Sequence, residues 1–144
     1  MSENAAIHRD VFWLMADRLI SNGISRNVYT SSVFPDCVVK VEEDACMFQN
    51  VMEWQTWGKV RGTALEKWFA PCKWISPNGS VLIMKKTTEP AEKHYLKQLP
   101  VFLTDTKRSN YGMYQGRLVC HDYGTSLLME YGMSKRMRNV EWWG

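Results

Sequence analysis

Three things the 144-residue chain lacks narrow its class. No apolar run approaches the ~20 residues that a membrane-spanning helix needs. Glu3, His8, Arg9 and Asp10 interrupt the N-terminus, so no leader sequence or membrane association is expected. The four cysteines, Cys37, Cys46, Cys72 and Cys120, form no Cys-x-x-Cys pair. That speaks against zinc or a disulfide scaffold and for a reducing cytoplasm. Long basic blocks are also missing. Eighteen Lys and Arg against 15 Asp and Glu leave a net charge of +3, so nucleic acid is not an expected partner. The densest basic run, residues 134–138, reads as a solvated helix face. With no repeat, low-complexity tract or linker, the chain is expected to be one domain over residues 1–144.

Aromatic and sulfur-containing residues are plentiful, with seven Trp and nine Met. Most are expected in a core; Trp142 and Trp143 could instead form an exposed aromatic surface for a partner.

Periodicity suggests an α+β fold. Ile7, Val11, Leu14, Met15, Arg18 and Leu19 have helical spacing, predicting a helix over 5–20 that ends at Ser21-Asn22-Gly23 with Gly23 as a left-handed cap. Residues 27–33 and 37–41 are β-branched strands around a Phe34-Pro35-Asp36 turn. Glu42-Glu43-Asp44 opens a second helix running to about residue 60, with Met47, Val51, Trp54 and Gly58 on one face and Glu53 one residue from it. Strands are expected over 68–74 and 81–84, separated by the turn Ser76-Pro77-Asn78-Gly79. A short helix over 94–99, a hairpin with its tip at Gly116, and a final short helix with an aromatic tail complete the reading.

The chemistry concentrates late in the chain. Asp105-Thr106-Lys107-Arg108-Ser109-Asn110 reads Asp-x-Lys-x-x-Asn, and Asp122-Tyr123-Gly124 follows Asn110 by twelve residues. One hairpin would bring together two carboxylates, a lysine and an amide, groups suited to a metal-bound phosphate. Earlier, Lys40 is flanked by valines in an apolar strand, where an ammonium needs a partner. Glu53 and Glu43 are the rivals; the alternative has Lys40 at a sheet edge and Glu53 facing water.

Together these segments resemble the protein-kinase-like superfamily over roughly residues 19–126. The resemblance implies an N-lobe over 19–87, an antiparallel sheet with one inserted helix, and a much reduced C-lobe over 88–144 carrying the catalytic-loop hairpin. Gly23-Ile24-Ser25-Arg26-Asn27-Val28-Tyr29 is similar to the nucleotide-covering loop, with Gly23 and Ser25 at the phosphates and Ser21 and Arg26 where the family has its other two glycines. The resemblance makes Val28 and Val38 the roof over an adenine. Lys40 neutralises the phosphates with Glu53 as its partner. Met84 guards the back of the pocket, and Lys85 to Thr87 offer backbone groups to the adenine edge. It makes Asp105 the catalytic carboxylate, Lys107 the stabiliser of the transferring phosphoryl group, and Asn110 and Asp122 the Mg²⁺ ligands.

Several family features are missing. The strand before the covering loop is read here as helix. Leu103-Thr104 stands where His-Arg precedes the catalytic Asp. Only 17 residues separate Thr87 from Asp105, and 20 follow Gly124, so a full helical lobe and substrate platform do not fit. In style the chain looks like a small viral (phage-encoded) or mobile-element product acting in a host cytoplasm. The expected function is ATP- and Mg²⁺-dependent phosphoryl transfer to protein hydroxyls. The alternative is a pseudokinase-like protein that captures or inhibits a host protein without catalysis. A homodimer would cover apolar surface exposed by the missing lobe.

Overall fold

The β-branched run Cys37-Val38-Val39-Lys40-Val41 forms the middle of the sheet, because its residues are buried on both faces. The structure is a computed structural model that describes residues 12, 15–23, 25–42, 48–126 and 128–144. Strands β1 (Ala16–Asn22), β2 (Asn27–Ser31), β3 (Cys37–Val41), β4 (Cys72–Ile75) and β5 (Val81–Lys85) make one antiparallel sheet in the order β1-β2-β3-β5-β4. Helix α1 (Gln49–Val60) follows β3 and packs against β4 and β5. The fold is therefore α+β.

Beyond the sheet, β6 (Gln98–Pro100) pairs antiparallel with the distant β9 (Met137–Asn139), which follows the short helix α2 (Leu128–Tyr131). Strands β7 (Tyr111–Tyr114) and β8 (Arg117–Cys120) form a second pair. Its two-residue turn, Gln115 (φ 51°) and Gly116 (φ 79°), has positive φ at both positions, the hairpin geometry that favours glycine. Two backbone seams tie this pair to the sheet. Ala70 N–H donates to Cys120 O at 2.9 Å, and Thr88 and Met113 exchange bonds of 3.0 and 2.8 Å. One buried cluster runs through both parts: Val38, Leu82 and Met84 from the sheet, Trp57 and Val60 from α1, and Phe102, Val119 and Tyr123 from beyond it.

Several expectations are corrected. Residues 16–20 of the predicted first helix belong instead to strand β1, whose pairing with β2 overrides the helical spacing; Leu19 and Ile20 are exposed. Much of the remainder of that helix lies outside the described residues. Gly23 is not in the left-handed region; it sits in the β1–β2 loop, its N–H donating to Arg26 O at 2.8 Å. Residues 43–47 also lie outside the described set, Glu43 among them, and α1 begins at Gln49. Its buried stripe is Gln49, Asn50, Glu53, Thr56, Trp57 and Val60, so Glu53 is on the inward face rather than beside it. An apolar-periodicity argument misses this because four of the six buried residues on that face are polar.

Strand β4 is shorter than expected, with a 3-10 turn (Glu66–Trp68) before it. Residues 92–94 form a 3-10 turn and 98–100 a strand, replacing the predicted 94–99 helix. The basic run at 134–138 leads into β9, because pairing with β6 claims the backbone. Trp142 packs edge-on against Tyr95 and Tyr111, whereas Trp143 is exposed. Among the described residues, no helix is long and apolar enough to cross a membrane.

Candidate functional site

Alternation along the strands sets the site. Val38 and Lys40, two apart on β3, point to the same face, and Val28 pairs with Lys40 across the β2–β3 ladder. These three join Gly23, Ser25, Arg26, Met84, Lys85, Thr87 and Asp122 around one cavity of about 340 Å³. Val28, Val38 and Met84 supply its apolar wall. His121 and Ser109 close the side nearest the hairpin.

Glu53 stands behind this cavity, fully buried, and five hydrogen bonds converge on it. Lys40 Nζ donates to Oε1 at 2.8 Å. Arg26 donates from Nη1 to Oε1 at 2.7 Å and from Nη2 to Oε2 at 2.9 Å. The backbone N–H groups of Tyr123 and Gly124 donate to Oε2 at 2.7 and 3.1 Å. Burial alone would push the Glu53 carboxyl up; the charges and hydrogen bonds of Lys40 and Arg26 outweigh it and bring the pKa down to about 2. Burial works against the Arg26 cation, but Glu53 and then Asp122 overcome it and raise its pKa.

Arg26 is the residue sequence reasoning missed. Seen as a lost glycine, Arg26 is only 8 % exposed, and its guanidinium reaches across the cleft. Besides Glu53, it bonds Asp122 Oδ1 at 2.8 Å and Asn50 Oδ1 at 3.0 Å. Asn50 is itself held: its Nδ2 donates to Lys40 O and Gly79 O at 3.1 and 3.0 Å. Glu42 fixes the start of α1, accepting from the backbone N–H groups of Gln49 and Asn50 at 2.9 and 3.1 Å. It satisfies two of the amides that a helix N-terminus leaves unpaired, from outside the helix.

The chain matches no protein-family model and no curated protein.

The late segment is assembled around His121. Its Nε2 donates to Ser109 O at 2.7 Å, so Nδ1 is left to accept from the Thr87 hydroxyl at 2.6 Å. Its carbonyl accepts from Lys40 Nζ. Burial, then the nearby Lys40 charge, lowers the His121 pKa below the ordinary value. Asn110 contributes through its backbone, its carbonyl accepting from His121 N–H at 2.9 Å and Asp122 N–H at 3.3 Å. Tyr123 is anchored beneath α1; its hydroxyl donates to Ala70 O at 2.8 Å and its ring meets Phe69 edge-on.

The remaining expected residues are more dispersed. Asp105 is exposed and borders a small cleft shared with Asp122 and Tyr123. Its Oδ1 accepts from Lys107 N–H at 3.2 Å. Arg138, from the tail, donates to Leu103 O and Thr104 O just before it, at 2.8 and 3.2 Å. Lys107 is turned away from the cavity, its Nζ lying 5.4 Å from the Trp143 ring centroid. At the expected adenine edge, Lys85 N–H donates to Pro71 O and Lys86 N–H to Asp36 O, both at 2.8 Å. The Lys85 side chain pairs with Asp36.

Proposed function

We propose that this chain is a protein-kinase-like, nucleotide-binding protein that transfers a phosphoryl group from ATP to a protein hydroxyl. The observation that carries this reading is the junction at Glu53, where the β3 ammonium and the Asp122-Tyr123-Gly124 backbone meet beside one cavity. The strand order, with a helix inserted after β3, also supports it. In this reading Val28, Val38 and Met84 hold the base, and the Thr87 peptide donates the edge contact, since the N–H groups of Lys85 and Lys86 are already paired. Lys40 faces the phosphates. Asp105 orients the acceptor hydroxyl and takes its proton as the acceptor oxygen bonds to the γ-phosphorus and ADP leaves. Lys107, held toward Trp143, has no part in that step.

Mg²⁺, which the resemblance implies at Asn110 and Asp122, would share the Asp122 carboxylate with Arg26. Asp122 commits Oδ1 to Arg26.

The test is label transfer from radioactive ATP to the protein itself or to lysate proteins. Lys40→Met and Asp105→Asn should each lower it by about a hundredfold or more, the scale of removing one electrostatic group from an active site. Transfer unchanged in both variants refutes the reading. A second reading, nucleotide-dependent capture of a cellular protein without chemistry, is favoured by the ion pair between Arg26 and Asp122. It predicts no transfer and a partner retained equally by wild type and Asp105→Asn.

A further inference from the structure

Arg26 bridges two carboxylates, Glu53 behind the cleft and Asp122 lining it, and every terminal N–H of its guanidinium is used. Nη1 serves Asn50 and Glu53; Nη2 serves Glu53 and Asp122. This arrangement is built, because Asn50 is oriented by two backbone carbonyls so that its oxygen faces Arg26. The partners differ in grip. Glu53 is wholly buried, whereas the Asp122 side chain is 48 % exposed. The cluster of Arg26, Lys40, Glu53 and Asp122 is neutral overall, two cations against two anions. A divalent ion at Asp122 would sit beside a guanidinium that cannot lose its proton, and like charges repel.

We propose that Arg26 is the resident cation of this site: it takes the position of a divalent metal between Asp122 and the phosphates, so the cleft binds a nucleotide polyphosphate without metal. This rests on the nucleotide reading given above. An entering phosphate oxygen accepts from Nη2 in exchange for the half-exposed Asp122, while Glu53 and Asn50 keep the guanidinium in place. Planar, bidentate guanidinium groups suit phosphate oxygens. Asp122 then acts as a competitor for Arg26 rather than as a metal ligand.

The experiment is calorimetric titration of ADP into the full chain, in EDTA and in excess Mg²⁺, for wild type, Arg26→Gln and Asp122→Asn. Wild type should bind with similar affinity in both buffers. Arg26→Gln should weaken binding in EDTA by about tenfold or more, the scale of one charge-assisted hydrogen bond. Asp122→Asn should bind at least as tightly as wild type in EDTA, since the competing carboxylate is gone. That half-exposed change carries the test if Arg26→Gln does not fold. Wild type that binds ADP only with Mg²⁺, or Asp122→Asn that loses binding, overturns the inference and leaves the nucleotide reading standing. Folded wild type that binds ADP in neither buffer overturns both.

Discussion

Arg26 and Glu53 lie 27 positions apart in the chain and meet as a buried fork, Nη1 to Oε1 at 2.7 Å and Nη2 to Oε2 at 2.9 Å. Lys40 completes the cluster on the same Oε1. One carboxylate thus joins the β1–β2 loop, strand β3, helix α1 and the segment after β8. The β1–β2 loop is pinned to the helix by an ion pair, where a glycine would leave only backbone.

Removing that carboxylate leaves the buried Lys40 ammonium without a carboxylate and Arg26 with only the half-exposed Asp122. Glu53→Ala is expected to destabilise the fold by about 3–5 kcal/mol, the range for breaking a buried ion pair from one side. Urea unfolding followed by tryptophan fluorescence measures it. A loss below about 1 kcal/mol, typical of an exposed pair, would contradict the burial of the cluster.

Acid should weaken the protein in two windows. His121 has its folded pKa lowered below 6.5, so its neutral form stabilises fully above that pH, and the contribution is lost as the pH falls further. Glu53 is lowered from 4.5 to about 2, so its contribution is complete above about pH 4.5 and is lost as the pH drops toward 2. That separation is worth about 3 kcal/mol at roughly 1.36 kcal/mol per pH unit. Melting temperature against pH should fall in both windows. His121→Gln should remove the first and Glu53→Gln the second; identical profiles in wild type and variants would contradict the assignment.

Two glycines should respond in opposite directions to alanine. At Gly112 a Cβ would lie 2.1 Å from Thr87 Oγ1 and 3.0 Å from His121 Nδ1. Gly112→Ala is expected to cost about 1–3 kcal/mol, as overpacked sites do, and to weaken ADP binding by displacing Thr87. Gly58, within α1, has nothing within 4 Å of a built Cβ. Gly58→Ala should therefore stabilise by about 0.5–1 kcal/mol. Denaturant midpoints decide both signs.

Local pattern made much of this protein legible. The turn at residues 34–36, the buried β3 and β5, the Gly116 hairpin tip and the need for a partner at Lys40 all follow from short-range residue preference and from the cost of an unpaired buried charge. Pattern also misled where strand pairing overrode it: residues 16–22 pair with the neighbouring 27–31, and residues 137–139 with the distant 98–100. The identity of the inward face of α1 was hidden because Gln49, Asn50 and Glu53 are buried by partners rather than by hydrophobicity. Arg26 shows the division most clearly. Its charge is written in the chain, but its role depends on a loop folding back over α1 and on Asp122, 96 positions away, arriving at the same guanidinium. Composition and periodicity act over a few residues, whereas the electrostatic balance of a cleft is set by which charges the whole fold brings within hydrogen-bond distance.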